Sequence, residues 1–393
     1  MKHLKSLPQQ DREYLTLLND IMNEGVEKGD RTGTGTRSLF GTRMKFDITE
    51  GKVPLLNTAK VFHKGIIHEL IWMLSGDTNI RYLKENNVNI WDSWIDPATA
   101  EYEDINLHEL GETLAQKIGN DRARGPEEIL TLCDENDIPT KKLIAGDLPF
   151  IYQHQWRKWD DIRILPHGVS AIPYEARGYK VVAFLADTTV IERQFDQVSE
   201  IVNRLKTNGD CRRIILSAWN AAQIEDMALA PCHAFVQFWS RELDADERYG
   251  MLSEEQKNNE PGYEIDDHTW LDDLGIPRRA LSCQLYQRSA DFPLGVKFNI
   301  VFYALFTHML AQVTGMIAEE FIWVGGDTHV YDNQHDGVEE HLSRADDEAS
   351  VGRGQARVEL NPTIDDIFEF TFDDVRIVDY DPMPTVNYPA AAV

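Results

Sequence analysis

LSCQLYQR at 281–288, followed by SADFPLGVKFNIVFYALFTHMLAQV at 289–313, decides the fold. The first run is rich in branched and aromatic residues and reads as a β-strand. From about Phe302 to Val313 the chain is apolar on nearly every side, which predicts a helix buried all round. A strand leading directly into a buried helix places a sheet and its covering layer side by side. Working outward, further β-like runs lie at Leu39–Phe46, Ile214–Trp219, Ala234–Trp239, Phe321–Val324 and Phe368–Val378. Tyr14, Leu17, Leu18, Ile21, Met22 and Val26 keep helical spacing from Asp11, read as an N-cap, to Gly29. Ile66, Ile67, Leu70, Ile71 and Leu74 mark a second amphipathic helix that stops at Gly76. Six strands with a few long helices predict an α+β fold, one large mixed β-sheet with helices packed on one face.

The chain has 393 residues, 42% of them hydrophobic, enough for a large core. Without internal repeats or low-complexity tracts it reads as one domain over 1–393. Polar insertions lie near 97–147, 163–192 and 241–279 and read as surface additions carrying much of the negative charge and little chemistry, the last as a solvated excursion between two strands. Sixty-six acidic residues against 39 basic ones give a formal charge of −27, so the average surface repels a nucleic-acid backbone or an anionic membrane. An anionic small molecule fits only where arginines gather locally. Four cysteines, none in a zinc or C-x-x-C spacing, read as reduced thiols of a cytoplasmic protein. No stretch nears 18 uninterrupted apolar residues, and the N-terminus lacks a leader pattern.

Cys232 follows a proline at the start of a β run, where a turn presents a side chain to a cavity. Locally it is either an inert core thiol or a nucleophile that needs positive charge nearby. Arg212 and Arg213, Arg288 with Gln287 and Ser289, and Arg31 in the Gly33-Thr-Gly35 loop offer that charge, or else form surface ion pairs. Glu69 is either a partly desolvated proton carrier or a solvated group at the edge of its helix stripe. Trp91, Trp94 and Trp156 are aromatics that stack on flat rings or fill cores. His329 and Tyr331 offer polar tips suited to sugar hydroxyls, or a structural histidine and its neighbour.

Taken together these pieces resemble the thymidylate synthase family. The resemblance rests on DRTGTGT at 30–36, HELIWMLSGDTNI at 68–80, ENNVNIWDSW at 85–94, YQHQWRKW at 152–159, CRRIILSAWN at 211–220, MALAPCHAF at 227–235, SCQLYQRSADFPLGVKFNI at 282–300 and GGDTHVYDN at 325–333. It implies that Cys232 adds to C6 of dUMP, and that C5 then attacks the methylene of 5,10-methylenetetrahydrofolate, with no metal. Arg31, Arg288 and Ser289 hold the phosphate with Gln287 beside them, joined by Arg212 and Arg213 from the other subunit of a homodimer built through the sheets. Four guanidiniums would favour a Cys232 thiolate.

Asn299 reads the pyrimidine edge, and its amide suits uracil, whereas aspartate there marks cytosine-specific relatives. His329 and Tyr331 take the deoxyribose hydroxyl. Glu69 organises protons, with Tyr152 helping to remove the C5 proton. Asp291 serves the pterin, and Trp91, Trp94, Leu229, Leu294, Gly295 and Phe298 form the folate wall. Departures from the family pattern are Asn57-Thr-Ala59-Lys60 in place of a stretch with two basic residues, Gln153, Pro293 and the end Pro-Ala-Ala-Ala-Val393; they fall on the folate side. The family reading thus splits into a synthase, which reduces the exocyclic methylene on the base with hydride, and a dUMP hydroxymethylase, which lets water add. A non-catalytic acidic scaffold would be expected to have lost some of Cys232, Arg288, Asn299 or Glu69, and all four are present.

Overall fold

The computed structural model describes residues 1–95, 101–118, 125–136, 138, 140–185, 187–258 and 268–390. Six strands form the main sheet: β1 Val26–Lys28, β2 Thr36–Asp47, β3 Ile215–Ser217, β4 His233–Glu242, β5 Arg279–Asp291 and β6 Ile317–Tyr331. Their order is β1-β2-β6-β5-β4-β3. Only β5 and β6 run parallel; every other pair is antiparallel, so the sheet is mixed.

Alternation sorts the two faces. Leu281, Cys283 and Leu285 of β5 and Val236 and Phe238 of β4 are buried, while Tyr286, Phe235 and Trp239 are exposed. The helix Lys297–Val313 lies against the buried face, as its all-round apolarity requires, and begins five residues before the sequence suggests. Phe292–Val313 is long and apolar enough to cross a membrane, yet 78% of that window is buried inside the protein. Around it stand the helices Gln9–Glu24, His63–Ser75, Tyr152–Arg157 and Gln197–Thr207.

Several expectations change. Asp11 is not an N-cap: the first helix starts at Gln9, and the buried Asp11 carboxylate accepts from the Asn57 and Thr58 backbone N–H groups and the Thr58 hydroxyl. Val26 belongs to β1 rather than to that helix. The run Phe368–Val378 does not join the main sheet. Only Val375–Val378 is a strand, paired with Arg357–Leu360 in a separate ribbon, while Phe368 lies under the Arg157 guanidinium at 3.6 Å. Its apolar residues fill a core rather than a ladder.

The polar stretches contain ordered structure. Trp159–Pro166, Thr188–Phe195 and Lys180–Leu185 form a three-stranded sheet over Leu165, Tyr179 and Ile191. The helices Leu107–Ile118 and Pro126–Glu135 close on Leu110, Leu114, Ile129 and Cys133. Short helices Ala245–Gly250 and His268–Asp273 are held by the buried Arg248, which donates to Asp272 and to the Ile276 and Pro277 carbonyls.

Candidate active site

A cavity of about 720 Å³ opens at the end of β5 and β6 where β4 begins. The structure brings Arg31, Glu69, Trp91, Trp94, Tyr152, Leu229, Cys232, Gln287, Arg288, Ser289, Asp291, Gly295, Asn299, His329 and Tyr331 to its wall. No described residue of the polar stretches 97–147, 163–192 or 241–279 lines it.

Cys232 sits in the turn just ahead of β4. Its carbonyl accepts from the Arg288 N–H at 2.9 Å, and its own N–H donates to the Tyr152 hydroxyl oxygen at 2.7 Å. Proline at 231 keeps the ladder from starting there, so the ladder begins at His233 and the thiol is left facing the cavity. Arg288 is pinned by the Pro231 and Ala230 carbonyls at 2.9 and 2.8 Å. Within one chain, burial pushes the Cys232 thiol up and the Arg288 guanidinium only partly opposes it, so the thiolate expected from four guanidiniums needs the two of a partner.

Glu69 accepts from the Trp91 indole N–H at 2.9 Å. Burial pushes its carboxyl up from 4.5 to about 7, against that hydrogen bond, so the carboxyl exchanges a proton near neutrality. Tyr152 is raised by burial and by the adjacent Cys232, and it remains a phenol. Since its oxygen already accepts the Cys232 N–H, its proton is directed away from that bond.

Across the cavity, the Asn299 side-chain oxygen accepts from Gln287 at 3.1 Å, and the Gln287 oxygen accepts from the Trp323 indole at 2.9 Å. His329 Nδ1 lies 3.1 Å from Asp327, which also receives Ser38 at 2.6 Å and pairs with Lys28. In the Asp30 loop the carboxylate accepts the Thr32 and Gly35 N–H groups, each at 3.0 Å, and holds the turn that carries Arg31. Gly35 has φ +86°, and an added Cβ would meet Asp332. The Asp291 carboxylate accepts from the Leu294 N–H and from Gln334, and burial raises it.

Four sequence candidates do not reach this wall. Arg212 and Arg213 are exposed on the segment entering the edge strand β3, away from this wall. Leu294 and Phe298 lie behind the Gly295 turn and pack against the core, because the turn places the glycine in front. The sequence reading overlooked roles for His233, Asp327 and Gln334. His233 lies 5.2 Å from the Tyr152 ring, and burial lowers it to about 4, so it is neutral. Its signal was its place directly after Cys232, where the ladder starts.

Among the described residues, the Cys232 thiol, in a turn that also pins Arg288, shares one cavity with an aromatic wall and the Glu69 carboxyl. A thymidylate synthase family profile matches residues 12–392, and the chain belongs to that family. At this level it is a transferase that places a one-carbon unit on dUMP in dTMP biosynthesis, and the family uses methylenetetrahydrofolate.

Proposed function

We propose that the chain is a synthase in the strict sense, which transfers and reduces the one-carbon unit to give dTMP and dihydrofolate. Cys232 adds to C6 of dUMP, its sulfur bonding as the C5–C6 π pair moves toward C5 and the C4 carbonyl. Asn299 holds that edge of the base. Once C5 has bonded to the one-carbon unit, Glu69 and Tyr152, with the neutral His233, carry the C5 proton away, and the C6–S bond breaks to return the Cys232 sulfur when the nucleotide product leaves. The wall of Trp91, Trp94, Leu229 and Gly295 with buried Asp291 fits a reduced folate, a flat ring with a polar edge. When bound, that folate supplies the one-carbon unit and the hydride.

The observation that carries the synthase reading is the place of the departures. Asn57, Gln153 and Pro293 are buried and line no part of the cavity. Gln153 donates to the Asp77 carbonyl at 2.9 Å and Asn57 to the Gly354 carbonyl at 2.6 Å, both within the scaffold. Lys60 is tied to Met383 through its backbone. The remaining departure is the end Pro-Ala-Ala-Ala-Val393, of which 391–393 lie outside the described residues. Trp91 is 6% exposed, braced by Trp72 and Tyr152, and keeps the methylene side walled against water. Incubation with dUMP and methylenetetrahydrofolate, followed by mass measurement of the nucleotide, tests this directly: a methyl product is expected, and a hydroxymethyl product would move the chain to the hydroxymethylase reading.

The working unit in this proposal is a homodimer. One chain lines its cavity with Lys28, Arg31 and Arg288 against Asp30, Glu69, Asp291 and Asp327, a poor balance for a phosphate dianion. Arg212 and Arg213 of a partner correct it, and they would also draw the thiol of Cys232 toward its ionised form. The exposed Phe235, Trp239 and Tyr286 offer the apolar sheet face for such pairing. Arg213→Ala mixed with Cys232→Ser is expected to regain one working site per heterodimer; confirmed heterodimers without activity would refute shared sites.

A further inference from the structure

Asn299 is not free to choose which end of its amide faces the base. An indole N–H is a donor and never an acceptor, so the Gln287 atom facing Trp323 Nε1 must be oxygen. That turns the Gln287 NH₂ toward Asn299, and the Asn299 atom it meets must in turn be oxygen. The Asn299 NH₂ is left as a donor at the cavity wall. Uracil presents a carbonyl acceptor at C4, whereas cytosine presents an amino donor. A fixed protein donor pairs with the first and meets the second donor against donor.

The indole itself has no room to turn. Trp323 is fully buried on β6, with Phe292 edge-on at 6.1 Å. A Cβ on Gly325 would collide with Trp323 Cη2, so the glycine there makes the space the ring occupies. The neutral His233 beside Asn299 can donate or accept, and it imposes no orientation of its own.

We propose that Trp323 is a positioning residue for substrate choice: through Gln287 it locks the Asn299 amide in the orientation that accepts uracil and rejects cytosine. This rests on the reading of Asn299 as the pyrimidine contact. Trp323→Phe keeps the ring and deletes the donor, and Gln287→Leu breaks the relay at its centre. Either is expected to cut the ratio of dUMP to dCMP affinity, measured by calorimetry on the full protein, about tenfold or more. The double variant is expected to lose no more than either single one, since both open the same chain of bonds. Damage to packing alone weakens both nucleotides together and leaves the ratio unchanged, so an unchanged ratio in a variant that still binds dUMP overturns the proposal. Should Trp323→Phe fail to fold, Gln287→Leu decides alone. Asn299→Asp is the separate control: no shift toward dCMP there refutes the base-reading role itself, whereas a shift with intact ratios in the other two refutes only the lock.

Discussion

The two ends of the cavity are held by different means. At the end proposed for the nucleotide, Gln287 and Ser289 of β5 and His329 and Tyr331 of β6 sit on neighbouring strands in one ladder, with Ser289 opposite Asp327 and Asp291 opposite His329. Cys232 joins that ladder through the Arg288 N–H. Side chains there are aimed by main-chain hydrogen bonds that a change of side chain other than to proline leaves in place. At the folate end, Trp91 and Trp94 come from a short 3-10 turn, Gly295 from a π turn, and the closing segment 384–390 is tied by single side chains. Gln334 bridges Asp291 to the Pro389 carbonyl, and His341 meets the Tyr388 hydroxyl at 2.7 Å. A main-chain frame tolerates change around it, while a frame of side chains drifts; the departures at Asn57, Gln153 and Pro293 lie in the buried scaffold and line neither end.

That contrast can be broken at its strongest point first. Cys232→Ser is expected to cut turnover by roughly 10³-fold or more while dUMP still binds, because the ladder remains; rate measurement with calorimetry checks both halves. Trp91→Phe removes the donor to Glu69 and opens the wall, so turnover should fall roughly tenfold and hydroxymethyl product should appear by mass spectrometry. Gln334→Ala cuts the tie between Asp291 and the tail. The KM for folate should rise about fivefold with dUMP affinity unchanged, in kinetics with each substrate varied separately.

The smallest effect concerns stability. Burial raises Glu69 from 4.5 to about 7, so within that window the native chain holds a proton that the unfolded chain has released. Its contribution to stability therefore declines as pH rises through the window. Glu69→Gln should flatten that decline and raise Tm by a few degrees above pH 7, while activity drops; an unchanged pH profile of Tm would show that Glu69 titrates normally.

Much of this was legible in residue order. The strands Leu39–Phe46, Ala234–Trp239 and Leu281–Arg288 stand where branched and aromatic residues are dense, and helical spacing located His63–Ser75 with Glu69 at the edge of its stripe. β1 was invisible because its three residues are exposed and gain their ladder only from β2. Phe368–Val378 misled because an aromatic-rich run without strict alternation fills a core as readily as a sheet. The strands of the polar stretch near 163–192 were not legible: Leu165, Tyr179 and Ile191 suffice to seat three short strands, and composition averaged over thirty residues hides three. Most site residues were readable as motifs, but the Trp323 to Asn299 relay was not, since it joins separate strands and a helix.

The bare aromatic side of the sheet also bears on dosage. If Phe235, Trp239 and Tyr286 are shielded only by a second copy, output per molecule will depend on how much of the enzyme is present, and dilution alone will silence it. Overproduction would then restore specific activity with no change in any single chain.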